Sequence, residues 1–186
     1  MPYLATQLAL PDVLMLEPKI FDDKTGVFFE SFNQRDFTQA TGLTVEFVQD
    51  NHSRSERNVL RGLHYQIVHP QGKLVRVTLG SIFDVSVDLR RSSSSFGKWV
   101  GVELSAENKK QLWIPPGFAH GFVVTSEAAE VLYKTTEYYA PEHECCIAWD
   151  DPTLGIQWPR MNNAPRLSAK DAAGKSFAEA FALGHC

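Results

Sequence analysis

Residues 82–89 read IFDVSVDL, a run in which hydrophobic and polar residues alternate. In an extended chain, successive side chains point to opposite faces, so Phe83, Val85, Val87 and Leu89 share one face, and the two aspartates and the serine share the other. This alternation predicts a β-strand with one face in the core and the other toward solvent.

Eight further segments have the same strand-like character, and turn residues such as Pro70 and Gly117 separate several of them. These segments cover residues 27–32, 45–51, 59–66, 73–79, 99–104, 111–114, 119–124 and 129–139. Nine short strands with short connections predict an all-β fold of the jelly-roll type.

Two helical regions interrupt this β pattern. The first is predicted at residues 36–41, with Asn33 as the N-cap and Gly42 as the stop. The second lies near the C-terminus, where Ser168 and Asp171 have the spacing of a capping-box variant. The prediction is therefore a jelly roll with a few short peripheral helices.

Composition restricts the class of protein further. The 186 residues are 44% hydrophobic and 22% charged, which favours a single domain over residues 1–186. The 18 basic and 22 acidic residues give a net charge of −4 with no long basic run, which argues against nucleic-acid binding. The three cysteines have no disulfide-framework or zinc-site spacing, and no apolar stretch would span a membrane, so we expect a cytoplasmic protein.

Two histidines are candidates for chemistry inside such a barrel. Strand alternation places His64 on one face with Gly62 and Gln66, and Arg61 on the other. The Pro-Gly stretch before His120 is similar to the second metal-binding motif of cupin barrels. The matching first motif has Gln66 where an imidazole ligand is expected, and a neutral amide is a poor transition-metal ligand. The pair therefore favours metal-free proton chemistry, although a structural role for a strand histidine stays open.

A proton donor and anion-binding groups would complete that chemistry. Tyr133 and Tyr139 share a strand face and are either core residues or an acid and a stacking ring. Arg61, Lys73 and Lys170 are either surface charges or a diphosphate site made of side chains, since the sequence has no glycine-rich phosphate loop.

Six collinear blocks closely resemble the dTDP-4-dehydrorhamnose 3,5-epimerase family. They cover residues 28–32, 47–53, 58–66, 72–77, 114–122 and 138–144. The resemblance implies a cupin jelly-roll barrel (double-stranded β-helix) without metal or organic cofactor. It also implies a homodimer that inverts C3 and C5 of dTDP-4-keto-6-deoxy-D-glucose, in the synthesis of dTDP-L-rhamnose.

The resemblance also implies roles for individual residues. His64 corresponds to the general base, Asp171 to its orienting carboxylate, Tyr133 to the general acid and Lys73 to the oxyanion stabiliser. Tyr139 corresponds to the ring that stacks on thymine. The other matched substrate-binding positions are Glu30, Gln49, Asp50, Asn51, Arg61, His120, Glu144 and Lys170. Lys24 is a further substrate-binding candidate, although it lies one residue before the matched position.

One departure from the family pattern concerns the nucleotide end of the substrate. The family usually has arginine before the glycine that precedes the Phe-Phe-Glu block, whereas this chain has Thr25 after Lys24. A lysine offers a point charge but no bidentate fork. Three alternatives stay open: an epimerase acting at one carbon only, a metal-dependent cupin enzyme and a non-catalytic sugar-binding cupin.

Overall fold

The protein, described by a computed structural model over residues 3–161 and 163–182, is built from antiparallel strands. In chain order, the strands are β1 Leu4–Gln7, β2 Leu14–Glu17, β3 Phe21–Asp23, β4 Gly26–Phe28, β5 Gln49–Glu56, β6 Leu60–Gln66, β7 Lys73–Leu79, β8 Ser81–Asp88, β9 Trp99–Ser105, β10 Gln111–Ile114, β11 Phe118–Val124, β12 Ala128–Thr135 and β13 Glu144–Cys146. The helices are α1 Gln34–Thr41, α2 Ala169–Ala172 and α3 Phe177–Ala182, and a 3-10 turn covers Pro141–His143.

Two sheets form the barrel. The six-stranded sheet has the order β1-β2-β10-β7-β12-β5, and the five-stranded sheet has the order β13-β6-β11-β8-β9. Strands β3 and β4 pair only with each other in a separate hairpin. The antiparallel jelly roll predicted from the alternating segments is therefore the observed architecture.

The barrel interior holds the largest hydrophobic cluster, to which both sheets contribute. Val75 and Leu112 enter it from the six-stranded sheet, and Ile82 and Phe122 enter it from the five-stranded sheet. All four side chains are at most 4% exposed. Burying such side chains contributes about 1.5–3 kcal/mol each relative to exposure, so this cluster is a main source of the barrel's stability.

The β8 strand is buried on both faces, so the prediction of a solvent-facing polar side is wrong. Val85 and Val87 pack outside the barrel against C-terminal residues that include Leu154 and Phe177. Asp84, Ser86 and Asp88 are fully buried, and their cross-strand partners on β11 include Phe122 and Phe118, which lie in the interior cluster. The C-terminal segment covers the hydrophobic face, and this leaves the polar face directed into the barrel.

The first helix begins and ends at the predicted caps. The Asn33 side chain accepts a hydrogen bond from the Asp36 amide, and Gly42 ends the helix in the left-handed conformation with φ of 72°. Its buried residue Phe37 packs edge-on against Phe47 and Trp113. The helix thus closes the outer side of the six-stranded sheet.

The C-terminal region forms two short helices. The Ser168 side chain accepts from the Asp171 amide at the start of α2, which confirms the predicted cap. The chain then pairs with the five-stranded sheet through a bridge between Ile147 and Lys175 before α3 begins. This path holds Asp171 against β6.

The other sequence-based boundaries differ at the edges of the sheets. Strands β1, β2, β3 and β13 were not predicted, the segment expected at 45–51 forms a strand at Gln49–Glu56, and the segment expected at 129–139 ends as a strand at Thr135. Among the described residues, no helix has the length and apolar character to cross a membrane. The single domain over residues 1–186 stays a prediction, and residues 1–2, 162 and 183–186 lie outside the described residues.

Candidate active site

A cavity of about 290 Å³ opens into the barrel, and both sheets line it. Its lining brings together nine of the residues selected from the sequence: Gln49, Asn51, Arg61, His64, Lys73, His120, Tyr133, Tyr139 and Glu144. Two more, Asp171 and Lys170, contact members of this lining. Most of the predicted site residues therefore lie together in or beside this cavity.

His64 and Asp171 form a hydrogen-bonded pair in the cavity wall. The distance from His64 Nε2 to Asp171 Oδ1 is 2.6 Å, and Asp171 also accepts from the Gly62 amide at 3.1 Å and the Ser168 hydroxyl at 2.6 Å. Burial alone would raise the pKa of Asp171, but these hydrogen bonds together outweigh it and lower the pKa to about 2.

The ionised Asp171 sets the orientation and tautomer of the imidazole. A carboxylate only accepts hydrogen bonds, so His64 Nε2 carries a proton and donates. The neutral ring then has its lone pair on Nδ1, which lies 3.9 Å from Glu144 Oε1, a carboxylate of the cavity lining. His64 is thus placed to accept a proton from a molecule in the cavity.

Gly62 allows two strands to approach closely beside this pair. Its φ is +111°, and a Cβ at this position would lie 2.6 Å from the Gly121 Cα and the His120 carbonyl oxygen. The backbone of β11 therefore occupies the space that a side chain at position 62 would need. The Gly62 amide donates a hydrogen bond to Asp171.

Tyr133 faces the cavity from the opposite sheet. It lies on β12, where its cross-strand partners are Asn51 and Val75. Burial raises the pKa of Tyr133, and the nearby Glu144 carboxylate adds to this effect. The phenol therefore keeps its proton at neutral pH and can act as a proton donor.

Lys73 supplies a buried cation on the same sheet as Tyr133. Burial lowers the pKa of its ammonium group to about 8, while Glu144 and Asp84 oppose the shift. At neutral pH most of Lys73 is still charged. A buried ammonium of this kind can stabilise a developing oxyanion.

A second histidine–aspartate pair lies beside the first. His120 Nε2 is 2.8 Å from Asp84 Oδ2, and both side chains are buried. Burial lowers the pKa of His120 even though Asp84 opposes the shift, so the ring is neutral at neutral pH. Among the described side chains, Asp84 Oδ1 and Ser86 Oγ are buried atoms without a hydrogen-bond partner.

Glu144 joins several groups at the rim of the cavity. It accepts from the Tyr139 hydroxyl at 2.5 Å and forms an ion pair with Lys170. Burial would raise the pKa of Glu144, but the bonds from Lys170 and Tyr139 lower it overall. The same bond to the carboxylate raises the pKa of Tyr139 to about 12, so its ring stays neutral.

Arg61 shares the cavity with His64, and its predicted position on the opposite face is wrong. His120 pairs with His64 and Phe122 pairs with Arg61, so three steps along β6 match two steps along β11. This irregularity shifts the alternation by one residue between Arg61 and His64. The Arg61 guanidinium donates to Ser55 Oγ at 3.0 Å and lines the cavity.

The family follows from a comparison with known proteins. A family model described as dTDP-4-dehydrorhamnose 3,5-epimerase matches residues 7–179. This chain belongs to the dTDP-4-dehydrorhamnose 3,5-epimerase family. The resemblance noted in six sequence blocks is thereby confirmed.

Individual proteins that are similar to this chain in sequence or in structure are also epimerases. A Pseudomonas aeruginosa dTDP-4-dehydrorhamnose 3,5-epimerase is 66% identical over 176 residues, which are 95% of this chain and 97% of that relative. The dTDP-6-deoxy-D-glucose-3,5-epimerase of Legionella pneumophila, solved with dTDP-4-keto-L-rhamnose, has a TM-score of 0.91 and 50% identity, covering 94% of this chain and 92% of its own. A Streptomyces bikiniensis 3'-monoepimerase, solved with dTDP-quinovose, has a TM-score of 0.89 and 33% identity over 96% of this chain and 90% of its own. The predicted cupin jelly roll is confirmed by these similarities.

Three residues that the epimerase resemblance selected lie elsewhere than in the lining described above. Asp50 points to the outer face of the six-stranded sheet, where it accepts from Lys134 at 2.9 Å in a groove of about 460 Å³. Lys24 lies in the turn of the exposed β3–β4 hairpin, and Glu30 follows that hairpin. The cavity described above therefore does not include these three residues.

Thr25, at the position where the resemblance leads us to expect arginine, has a local structural role. Its amide and hydroxyl both donate to Asp23 Oδ1, at 2.7 and 2.5 Å. This Asx-type arrangement closes the β3–β4 turn. Thr25 thus stabilises the turn through two hydrogen bonds and offers no guanidinium to a ligand.

Cys146 lies closer to the chemistry than the cysteine spacing suggested. Its Sγ, one nitrogen of His64 and one oxygen of Asp171 all lie within 4.8 Å of one another. Burial raises the pKa of the Cys146 thiol to about 12, and the Asp171 oxygens already accept three hydrogen bonds. A metal ligand must be a deprotonated thiolate, so this donor set fits a structural thiol better than a metal site.

Sequence reasoning did not select Asp84, Ser168 or Gln66. Alternation predicts Asp84 on the solvent side of β8, and the spacing of Ser168 and Asp171 indicates only the start of a helix. Gln66 stands out in the sequence only because a metal-binding motif would have an imidazole there. The buried polar face of β8 could be identified from the sequence only if the covering C-terminal segment were already known.

Proposed function

We propose that this chain inverts C3 and C5 of dTDP-4-keto-6-deoxy-D-glucose and gives dTDP-4-keto-L-rhamnose. The observation that supports this most directly is the placement of a proton acceptor and a proton donor on opposite walls of one cavity. His64 lies on the five-stranded sheet and Tyr133 lies on the six-stranded sheet. Inversion requires removal of a proton from one face of a carbon and its return to the other face.

The chemistry needs only proton transfer. The C4 ketone acidifies the hydrogens at C3 and C5, and neutral His64 removes one of them through Nδ1 while Asp171 stabilises the imidazolium that forms. The resulting enolate places negative charge on the C4 oxygen, which the charged Lys73 stabilises. Tyr133 then donates its proton to the opposite face, after which exchange with solvent removes the proton from His64 and returns one to the Tyr133 oxygen. No oxidation or reduction occurs, so this route requires no redox cofactor.

The rim of the cavity provides groups for the nucleotide part of the substrate. Arg61 and Lys170 are the cations proposed to bind the diphosphate, and the half-exposed ring of Tyr139 is proposed to stack on thymine. Gln49, Asn51, His120 and Glu144 are proposed as polar contacts to the sugar and nucleotide. Arg61 and Lys73 thus place two cations in the cavity of a net negative chain, and Lys170 pairs with Glu144 at its rim.

The proposed homodimer would bring the β3–β4 hairpin to a second cavity. Four apolar residues along this hairpin and just before it are at least 42% exposed: Ile20, Phe21, Val27 and Phe28. An exposed apolar arm of this kind favours contact with a second copy, and Lys24 at its tip would then reach the partner's nucleotide site. Sedimentation equilibrium should give twice the chain mass, and Phe28→Asp should shift the mass toward that of one chain. A wild-type chain that sediments as a monomer would contradict this arrangement.

A cytoplasmic location is part of the same proposal. Cys145 and Cys146 are both free thiols in the structure. Free thiols are typical of reducing compartments such as the cytoplasm.

Deuterium incorporation tests the reaction. The chain is incubated with dTDP-4-keto-6-deoxy-D-glucose in D₂O, with and without a chelator, and proton NMR counts the carbons that gain deuterium. Two labelled carbons, with equal rates in both samples, are expected. One labelled carbon would instead assign the chain to the one-carbon epimerases, and none would make it a sugar-binding protein. A rate lost in chelator would identify a metal-dependent cupin enzyme.

A further inference from the structure

The segment between Thr135 and Glu144 crosses from one sheet to the other. It leaves β12 in the six-stranded sheet and enters β13 in the five-stranded sheet, and it carries Tyr139 at the rim of the cavity. The ring of Tyr139 is held at one end by Glu144, through the hydroxyl. The position of the other end depends on the backbone of a non-strand segment.

Two glutamine side chains bind consecutive amides of this segment. Gln49 Oε1, from β5, accepts from the Tyr139 N–H at 3.0 Å, and Gln66 Oε1, from β6, accepts from the Ala140 N–H at 2.9 Å. One glutamine therefore comes from each sheet. Together they fix the backbone on both sides of the Tyr139 carbonyl group.

Gln66 uses both ends of its amide. Its Nε2 donates to the His69 carbonyl at 2.8 Å and to the Tyr138 carbonyl at 3.3 Å, and the residue is only 6% exposed. The two N–H donors and the oxygen of the Gln66 amide bind three backbone groups. Rotation of the amide by 180° would place its oxygen against two carbonyl oxygens and its NH₂ group against an N–H. The side chain therefore has one favourable orientation, which ties the turn before β7 to the Tyr139 segment.

We propose that Gln66 is a positioning residue for nucleotide binding, acting with Gln49 as a two-glutamine clamp that holds the Tyr139 ring in its stacking position. The inference rests on the proposed function, because the stacked ligand is the thymine of a dTDP-sugar. A ring that is already ordered loses less conformational entropy on binding, so Gln66, which is not part of the cavity lining, contributes affinity through the Tyr139 ring. It also gives a physical reason for an amide at the position where metal-binding cupins have an imidazole.

The role differs from a general contribution to folding. A structural glutamine would affect the unfolding free energy and leave nucleotide affinity unchanged. Gln111 provides that comparison within the same chain, since it is 1% exposed and donates to the Ser31 carbonyl at 2.7 Å, outside the lining of the cavity.

Calorimetric titration of dTDP tests the clamp without depending on turnover. Gln66→Met keeps the size of the side chain and removes all three hydrogen bonds. We expect the Kd for dTDP and the KM for the dTDP-sugar to rise about tenfold and kcat to change less than about twofold, because the ring is less ordered but the proton-transfer groups are intact. Gln111→Met is expected to lower the melting temperature and leave the Kd unchanged.

A double-mutant cycle with Tyr139→Ala distinguishes positioning from structural damage. In the Tyr139→Ala background, Gln66→Met should change the Kd by less than about twofold, because the residue through which it acts is gone. Equal tenfold effects in both backgrounds, or a fall in kcat with KM unchanged, would overturn the clamp. Should Gln66→Met fail to fold, Gln66→Glu replaces it, since glutamate keeps the acceptor for Ala140 and lacks both donors. A wild-type chain that binds no dTDP would instead overturn the proposed function, and the clamp with it.

Discussion

Two histidine–aspartate pairs stand side by side in this barrel, and they differ in exposure. His64 and His120 are cross-strand neighbours on β6 and β11, and each bonds an aspartate, at 2.6 and 2.8 Å respectively. The His64 side chain is 26% exposed, whereas the His120 side chain is 7% exposed and its partner Asp84 is fully buried. Similar hydrogen bonds are therefore placed in different surroundings.

We propose that this difference separates a proton-transferring pair from an orienting pair. Asp171 has both oxygens occupied and holds His64 with Nδ1 toward the cavity, where an imidazolium can be exposed to substrate and solvent. Burial instead lowers the pKa of His120, so this ring resists protonation and suits a neutral hydrogen-bonding role. Exposure, rather than the presence of an aspartate, decides which histidine can be the base.

The largest effect is expected at the two imidazoles themselves. His64→Asn should lower kcat by about 10³-fold, within the usual range for a general base, while His120→Asn should lower it by about tenfold. Steady-state kinetics of both purified variants measures the ratio, and circular dichroism checks that both fold. Comparable losses in the two variants would remove the distinction between the pairs.

A smaller effect is expected at the two carboxylates. Asp171→Asn should lower kcat by roughly 30-fold, because a neutral amide no longer favours the tautomer with the Nδ1 lone pair or stabilises the imidazolium. Asp84→Asn should change kcat by about threefold, since His120 does not become charged. The two kcat values are compared at one pH. A greater loss in Asp84→Asn than in Asp171→Asn would reverse the assignment.

A third effect concerns Lys73, which interacts with the Asp84 carboxylate of the His120 pair and with Glu144, which lies near His64. Its pKa is lowered to about 8, so the stabilising cation is present below that pH and is lost as the pH rises through it. We expect kcat/KM to fall about tenfold per pH unit above about pH 8. Lys73→Gln should have low activity without this alkaline decrease. An unchanged decrease in that variant would assign it to another group.

Much of the barrel could be predicted from local pattern. Strands β7 and β10 have the predicted bounds, and α1 has the predicted caps, because in each case neighbouring residues decide the structure. Strands β1 and β13 could not be predicted in the same way, since neither has the buried, largely apolar run of the similarly short β10. These segments form strands because β1 pairs with β2 and β13 pairs with β6.

In the site, too, some features could be predicted from neighbouring residues, whereas others depend on contacts with distant parts of the chain. The histidines and Tyr133 were identifiable by residue type and motif, but the inward direction of Asp84 depends on a C-terminal segment that covers the other face of β8. The position of Arg61 depends on a bulge opposite His120. Neither of these tertiary effects leaves a signal within the strand that it changes.

The central claim is that protons leave from the His64 wall and return from the Tyr133 wall. Its most direct test is the NMR analysis of substrate and product from Tyr133→Phe in D₂O. The two-wall mechanism predicts that deuterium still enters through His64 while inversion slows by about 10²-fold, so that exchanged sugar of unchanged configuration accumulates. Fully inverted, doubly labelled product formed at the wild-type rate would contradict it.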